Sequence, residues 1–114
     1  MSVKLTTRQV GDVTVIDANG RITLGEGSST FRDTIKDLTA RGNKKLLVNL
    51  GDVSYIDSSG IGEMVSGFTS VANQGGELKL LNLNKRVKDL LQITKLYTVF
   101  EVFDDEAAAV RSFA

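Results

Sequence analysis

The 114-residue chain contains no cysteine, no histidine and no proline. Without cysteine it cannot form a disulfide framework, and without cysteine or histidine it cannot build the zinc sites that depend on those ligands. The absence of histidine also removes the commonest general base of enzyme catalysis. We therefore expect no catalytic residues, no metal site and no cofactor.

Neither sign of charge is in excess, because 14 basic and 14 acidic residues give a formal net charge of zero. Such a chain has no overall field to attract nucleic acid or an anionic membrane. No apolar run approaches the ~20 residues of a membrane span. The first residues, MSVKLTTRQV, also lack the apolar region of a signal peptide. We expect a cytoplasmic protein that contacts neither nucleic acid nor membrane directly.

The length fits a single domain, residues 1–114. Polar and apolar residues alternate on both sides of Gly11-Asp12, which predicts an antiparallel hairpin. Helical and strand patterns then alternate to the end of the chain. The fold class predicted from this order is α/β, with a mixed sheet that is mainly parallel after the N-terminal hairpin and is flanked by about four helices.

Helix boundaries are predicted from capping residues and glycines. Thr30 and Asp33 suggest the start of the first helix, and Asn84 suggests the cap of the third. The run Thr98–Phe103 predicts the last strand, and the acids that follow it suit the first turn of a final helix.

The stretch Val53–Val65, VSYIDSSGIGEMV, lies where a buried strand should lead into the second helix. Ligands of open α/β sheets gather at such carboxyl ends of strands. Asp57, Ser58 and Ser59 are all competent N-caps, although a helix needs only one, worth typically ~1 kcal/mol. The stretch contains no complete capping box. Capping therefore explains only one of the three, although most serine-rich junctions are simply caps.

Glycines are unusually frequent in the helix that follows. Gly60 and Gly62 each cost up to ~1 kcal/mol relative to alanine. They leave bare backbone that a partner protein can approach closely, or they serve packing against the sheet. Met64, at helical spacing, is expected in the core. The basic cluster of Lys85, Arg86 and Lys88 is expected to be a solvated face rather than a phosphate site.

The chain resembles a STAS domain. The resemblance lies in the segment YIDSSGIG, together with KKLLVNLGDVS before it and GGELKLLNLNKRVKDLLQITKLYTVFEVFDD after it. The chain is most similar to the small bacterial anti-sigma factor antagonists, over essentially its whole length. The resemblance implies a protein that binds an anti-sigma factor and so frees a sigma factor. It also implies that the anti-sigma factor doubles as a serine kinase, which switches the antagonist off by phosphorylating the serine after the aspartate. A serine phosphatase reverses this step.

Carried onto this chain, the resemblance makes Ser58 the phosphorylation site. Asp57, Ser59, Gly60 and Gly62 become the partner-binding residues around it. Asp57 is expected to order the loop and to aid kinase recognition. Ser59 is expected to be the cap, and the alternative is that its own hydroxyl is the one modified.

One segment departs from the family pattern. Antagonists often carry acidic and histidine-containing residues between the second strand and the first helix, whereas this chain has GRITLGEGSS, residues Gly20–Ser29. Gly25 and Gly27 are expected to make this loop pliant. Because the loop helps to form the partner surface in the family, the identity of the partner stays open.

Three other functions remain open at this point. The chain could be a STAS interaction module without a sigma circuit, in a stress-signalling scaffold or a lipid-transport complex. It could be an enzyme with Ser58 as nucleophile, but no histidine is present to activate the hydroxyl. It could bind a nucleotide at the helix N-terminus, but no phosphate-loop motif is present.

Overall fold

The alternating strand and helix patterns build a five-stranded sheet whose spatial order, β1-β2-β3-β4-β5, follows the chain. The computed structural model describes residues 3–113. The strands are β1 Val3–Val10, β2 Val13–Ile22, β3 Lys45–Ile56, β4 Glu77–Leu81 and β5 Val102–Phe103. The helices are α1 Glu26–Ala40, α2 Ser58–Asn73, α3 Lys85–Ile93 and α4 Glu106–Ser112, with a 3₁₀ turn at Leu96–Thr98.

The sheet is mixed in the way the sequence predicts. Strands β1 and β2 pair antiparallel, with Val10 opposite Val13 across a turn where Gly11 has a φ of +63°. All later neighbours pair in parallel. Parallel crossovers are right-handed, and these proceed in one direction across the sheet, so α1, α2 and α3 all lie on the same face.

Each face of the sheet has its own hydrophobic core. The larger core joins the strands to the buried sides of the first three helices through Phe31, Ile35, Leu38, Ile61, Met64, Val71, Val87 and Leu91. On the opposite face, α4 is the one helix among residues 3–113, and its Ala109 and the following Phe113 pack on Val13, Val15, Leu47 and Leu81. Met64 is fully buried, so its predicted core position is confirmed.

The predicted start of α1 is wrong. The helix begins at Glu26, with Gly25 at the N-cap position, and Thr30 lies in its second turn. No side chain caps this end; Gly25 has a φ of +96°, which turns the chain into the helix. The spacing of Thr30 and Asp33 matches a capping pattern but lies inside the helix. The start of α1 is set instead by Gly25, because glycine readily adopts a positive φ.

The last strand is much shorter than predicted. Only Val102–Phe103 pairs with β4, and Thr98, the first residue of the predicted run, is the last residue of the 3₁₀ turn. Phe100 turns into the larger core, where its ring meets that of Phe68 edge to face at 5.5 Å between centroids. The apolar side chains of this run are therefore buried by packing rather than by strand pairing.

Strand β3 extends well beyond its neighbour β4, which pairs only with Lys45–Asn49. Residues 50–56 continue along β2, with irregularities after Asp17 and after Gly20. The Asn84 side chain fastens this extension, because its Nδ2 donates to the Val53 carbonyl at 2.6 Å. Its Oδ1 also accepts from the Val87 N–H, which confirms the predicted cap of α3.

None of the helices within residues 3–113 has both the length and the apolar character needed to cross a bilayer.

Candidate functional site

Asp57 caps α2 and also fixes the neighbouring loop. Its Oδ1 accepts a hydrogen bond from the Gly60 N–H at 2.8 Å, and its Oδ2 accepts one from the Leu24 N–H at 3.0 Å. The Asp57 N–H donates to the Ile22 carbonyl at 3.3 Å. A carboxylate at a helix N-terminus is favoured by the partial positive charge there. One side chain therefore joins the end of β2, the loop after it and the start of α2.

The predicted role of Ser59 as the cap is wrong, because the carboxylate of Asp57 occupies that position. Asp57 has an extended backbone, with φ −101° and ψ −177°, which is the conformation of an N-cap. Ser58 and Ser59 then become the first two residues of the helix itself. Ser58 is exposed and Ser59 is half-buried. The Ser58 hydroxyl is thus open to solvent and is not needed to cap α2.

The two predicted partner-binding glycines have different surroundings. Gly60 is buried, and a Cβ there would collide with the Ile22 carbonyl oxygen and lie 2.7 Å from the Ile56 side chain. Gly60 therefore serves the packing of α2 against β2. Gly62 is exposed, and nothing lies within 4 Å of where its Cβ would be. Of the two, only Gly62 leaves bare backbone on the surface.

The segment Gly20–Ser29 contains regular secondary structure at both of its ends. It comprises the end of β2, a short turn and the start of α1. A Cβ on Gly27 would lie only 2.8 Å from the Arg21 carbonyl oxygen, so this glycine permits close packing. Ser28 donates to the Thr23 carbonyl through both its N–H and its hydroxyl, each at 2.9 Å. The pliancy predicted for this loop stays a prediction.

A groove of about 440 Å³, hereafter the Ser58 groove, separates the start of α2 from α3. It is lined by Tyr55, Ile56, Asp57, Ser58, Arg86, Asp89, Leu90 and Ile93. Ile93 is 77% exposed. Leu24, whose N–H is bound to Asp57, is 79% exposed. Ser58 thus lies on a surface with two unusually exposed aliphatic side chains.

Two arginines stack on Tyr55 beside the groove. The guanidinium carbon of Arg86 lies 4.4 Å from the centre of the Tyr55 ring, and that of Arg21 lies 4.9 Å from it. Cation–π contacts of this kind are worth about 0.5–1 kcal/mol at exposed sites. Arg86 is the only cation among the described residues that line the groove, where Asp57 and Asp89 supply carboxylates.

Within residues 3–113 no cluster of three or more potential metal-ligating carboxylates is present. The arrangement offers an exposed hydroxyl, apolar contacts and one guanidinium, which suits binding and modification.

The chain matches the family model of the STAS domain over residues 4–109, and it therefore belongs to the STAS domain family. It is 40% identical over 72 residues to the anti-sigma-B factor antagonist of Bacillus subtilis. The aligned segment covers 63% of this chain and 65%, just under two thirds, of that protein. It is 31% identical over 102 residues to a Thermotoga neapolitana protein provisionally named an anti-sigma factor antagonist, with 89% of each chain covered.

The fold has close counterparts among solved structures. The crystal structure of a provisionally named anti-sigma factor antagonist from Thermotoga maritima superposes with a TM-score of 0.88 and 25% identity, covering 96% of this chain and 93% of that one. The family and the fold class predicted from the sequence are both confirmed.

Reasoning from the sequence missed Leu24, Ile93, Tyr55 and Arg86 as residues of the site. Leu24 lies within a polar, glycine-rich segment, and this isolation was the one local indication that it faces outward. Arg86 and Ile93 approach Ser58 only through the packing of α3 beside β3, which no sequence spacing specifies, whereas Tyr55 lies on β3 three residues before Ser58.

Proposed function

We propose that the chain is an anti-sigma factor antagonist: it binds an anti-sigma factor, releases a sigma factor and is switched off by phosphorylation of Ser58. The observation that carries this proposal is the exposed Ser58 hydroxyl on a surface with exposed aliphatic groups. Relatives named anti-sigma factor antagonists support the choice of partner.

The binding surface we propose consists of Leu24, Ser58, Gly62 and Ile93. Fully burying a leucine or isoleucine side chain contributes roughly 1.5–3 kcal/mol, so Leu24 and Ile93 supply the apolar contacts. Gly62 follows Ser58 by four residues and lies on the same side of α2, where it lets a partner approach the backbone. Asp57 positions this surface, while Ser59 and Gly60 support it from beneath.

Phosphorylation acts on this surface without unfolding the domain. A phosphate adds roughly −1.5 to −2 charges at neutral pH. Because Asp57 rather than Ser58 caps α2, esterifying the Ser58 hydroxyl removes no capping hydrogen bond. A docked partner, in contrast, meets new bulk and new charge beside the Asp57 carboxylate. A penalty of ~3 kcal/mol weakens binding by about two decades.

The remaining parts of the circuit belong to the same proposal. The anti-sigma factor acts as the serine kinase, and a separate serine phosphatase restores the unmodified form. The chain itself, residues 1–114, works as a single STAS domain in the cytoplasm. It acts as a binding protein without enzymatic activity, without a cofactor and without direct contact to nucleic acid or membrane.

Substitutions at Ser58 test the proposal against the anti-sigma factor kinase encoded in the same genome. By isothermal titration calorimetry, Ser58→Ala should bind as tightly as the unmodified chain, and Ser58→Asp about tenfold or more weaker. Thr69→Asp is the matched control, since Thr69 is an exposed hydroxyl residue of α2 about 16 Å further along the helix, and it should bind normally. Equal affinities of Ser58→Ala and Ser58→Asp would overturn the switch. Failure of the unmodified chain to bind the anti-sigma factor would overturn the function.

A further inference from the structure

Arg21 and Arg86, which lie over the Tyr55 ring, differ from the neighbouring Arg32 in having no carboxylate partner among the described residues. Arg32, on α1, is paired with Glu63 of α2 at 2.9 Å. Within residues 3–113, Arg21 and Arg86 form no salt bridge with any carboxylate, and the Tyr55 ring is the cation–π partner of both. Tyr55 therefore holds two guanidinium groups in place while leaving their charges without an acidic partner.

A stacked guanidinium keeps its hydrogen-bonding capacity. The contact of Arg86 with the Tyr55 ring is a cation–π contact, which pairs none of the five N–H donors of the guanidinium with an oxygen acceptor. This planar fork matches the oxygen atoms of a phosphate, to which it binds in a bidentate manner. Arg86 is thus positioned on one wall of the Ser58 groove with donors available for an anion.

Ser58, at the start of α2, lines the same groove. We propose that Arg86 binds the phosphoryl group of phosphorylated Ser58 and holds it in the groove between α2 and α3. This inference rests on the modification of Ser58 proposed above. It assigns an intramolecular phosphate-binding role to a residue of the basic cluster that the sequence analysis expected to be only a solvated face.

The charges of the groove make Arg86 necessary for this arrangement. Asp57 and Asp89 line the same groove, so a phosphate there is repelled by two carboxylates and attracted by one guanidinium. With Arg86 in place, the phosphate fills the space into which a partner's side chains would dock. Without Arg86, the phosphate is driven out of the groove into solvent. The modification then blocks the partner less completely and is more accessible to a phosphatase.

Phosphorus NMR on the full chain, with phosphoserine installed at position 58 by genetic encoding, tests the inference directly. The second ionisation of free phosphoserine lies near pH 6. Contact with Arg86 should lower this pKa, and Arg86→Gln should raise it again by about 0.5 unit. Lys88→Gln is the matched control, because it removes a charge from the same helix without lining the groove, and it should leave the titration unchanged.

The same titration in the parent and in Arg86→Gln would overturn the proposal, and so would an equal change in Lys88→Gln. A second readout is the side-chain N–H resonances of Arg86, which should shift on phosphorylation and stay unshifted if the phosphate does not contact it. Neither measurement uses a kinase or an anti-sigma factor. A negative result would therefore leave the proposed function standing, whereas failure to bind an anti-sigma factor would leave this titration intact.

Discussion

At the scale of single residues, Ser58 and Gly62 have the same physical property: both are exposed on the first turns of α2 and neither is needed for the core. Gly60, between them, is buried against the Ile22 carbonyl and is needed for packing. The sequence places all three on one short helix segment but cannot say which glycine faces the sheet. Burial decides that question, because the approach of α2 to β2 is a tertiary contact.

Substitution of Gly62 by alanine should separate stability from binding. Because nothing lies within 4 Å of the new Cβ, Gly62→Ala should raise the free energy of unfolding by about 0.5–1 kcal/mol, as expected for a helix interior. The same methyl group should weaken binding of the anti-sigma factor by roughly tenfold, since Gly62 belongs to the proposed binding surface. Urea unfolding and calorimetry measure the two effects.

Gly60→Ala is the contrasting variant, because its methyl group meets the Ile22 carbonyl and should destabilise the domain. If Gly62→Ala binds the anti-sigma factor with unchanged affinity, Gly62 is not part of the binding surface.

At the scale of secondary-structure elements, Asp57 joins three parts of the chain through its side chain and its N–H. The sequence indicated that the junction carries more capping residues than one helix needs, but it assigned the cap to Ser59. The error has a physical origin: the β2–α1 loop supplies the Leu24 N–H, and a carboxylate has two separate oxygens, which accept from Leu24 and from Gly60 on different sides.

Loss of the Asp57 side chain should therefore cost more than loss of an ordinary cap. Asp105 provides the comparison, since its Oδ2 accepts from the Ala108 N–H at 2.9 Å at the start of α4. Asp105→Ala should cost about 1 kcal/mol of unfolding free energy, and Asp57→Ala about 2 kcal/mol. Amide exchange at Leu24 should speed up in Asp57→Ala alone. Equal costs, or unchanged exchange at Leu24, would show that Asp57 is only a cap.

Several element boundaries were predictable and others were not. Asn84 was identified correctly because its capping bond is local, between residues three positions apart. The start of α1 was missed because a backbone turn at Gly25, rather than a side-chain cap, sets it. The length of β5 was missed because Phe100 packs into the core instead of pairing as a strand residue.

At the scale of the whole molecule, the two faces of the sheet are held differently. Three helices cover one face through a large apolar core, while α4 on the other face is held partly by charge. Lys79 is 5% exposed, and its Nζ donates to the Ser112 carbonyl at 3.0 Å and pairs with Glu101 at 2.7 Å. A lysine within the apolar run ELKLL gave no indication of this role, because its partners are distant in sequence. The fold class, by contrast, followed from the alternation of elements, which is a property of the entire chain.

The hairpin is tied to α4 by Arg8, which pairs with Asp17 at 2.6 Å and with Glu106. Hydrogen bonds from Arg8 hold the pKa of Asp17 below its ordinary 3.8 and the pKa of Glu106 below its ordinary 4.5. A carboxyl group whose pKa is lower in the folded state than in the unfolded state stabilises the folded state when the pH is above its unfolded-state pKa. That contribution is lost as the pH falls through the folded values.

Acid unfolding should reveal this network. Below about pH 4.5 the unfolding free energy should fall more steeply in the parent than in Arg8→Gln. The difference at neutral pH should be only about 0.5–1 kcal/mol, because the paired side chains are 33–41% exposed to solvent. Lys4→Gln, on the same side of β1, is the control and should keep the parent's slope. Identical slopes in the parent and Arg8→Gln would contradict the assignment.

The most direct test of the whole account compares one chain in two chemical states. The affinity of the unmodified chain for its anti-sigma factor is measured by calorimetry, and then that of the chain carrying phosphoserine at position 58. We expect the phosphorylated form to bind about a hundredfold more weakly while its unfolding midpoint stays unchanged. Equal affinities of the two forms, or a phosphorylated form that has lost its fold, would contradict the account.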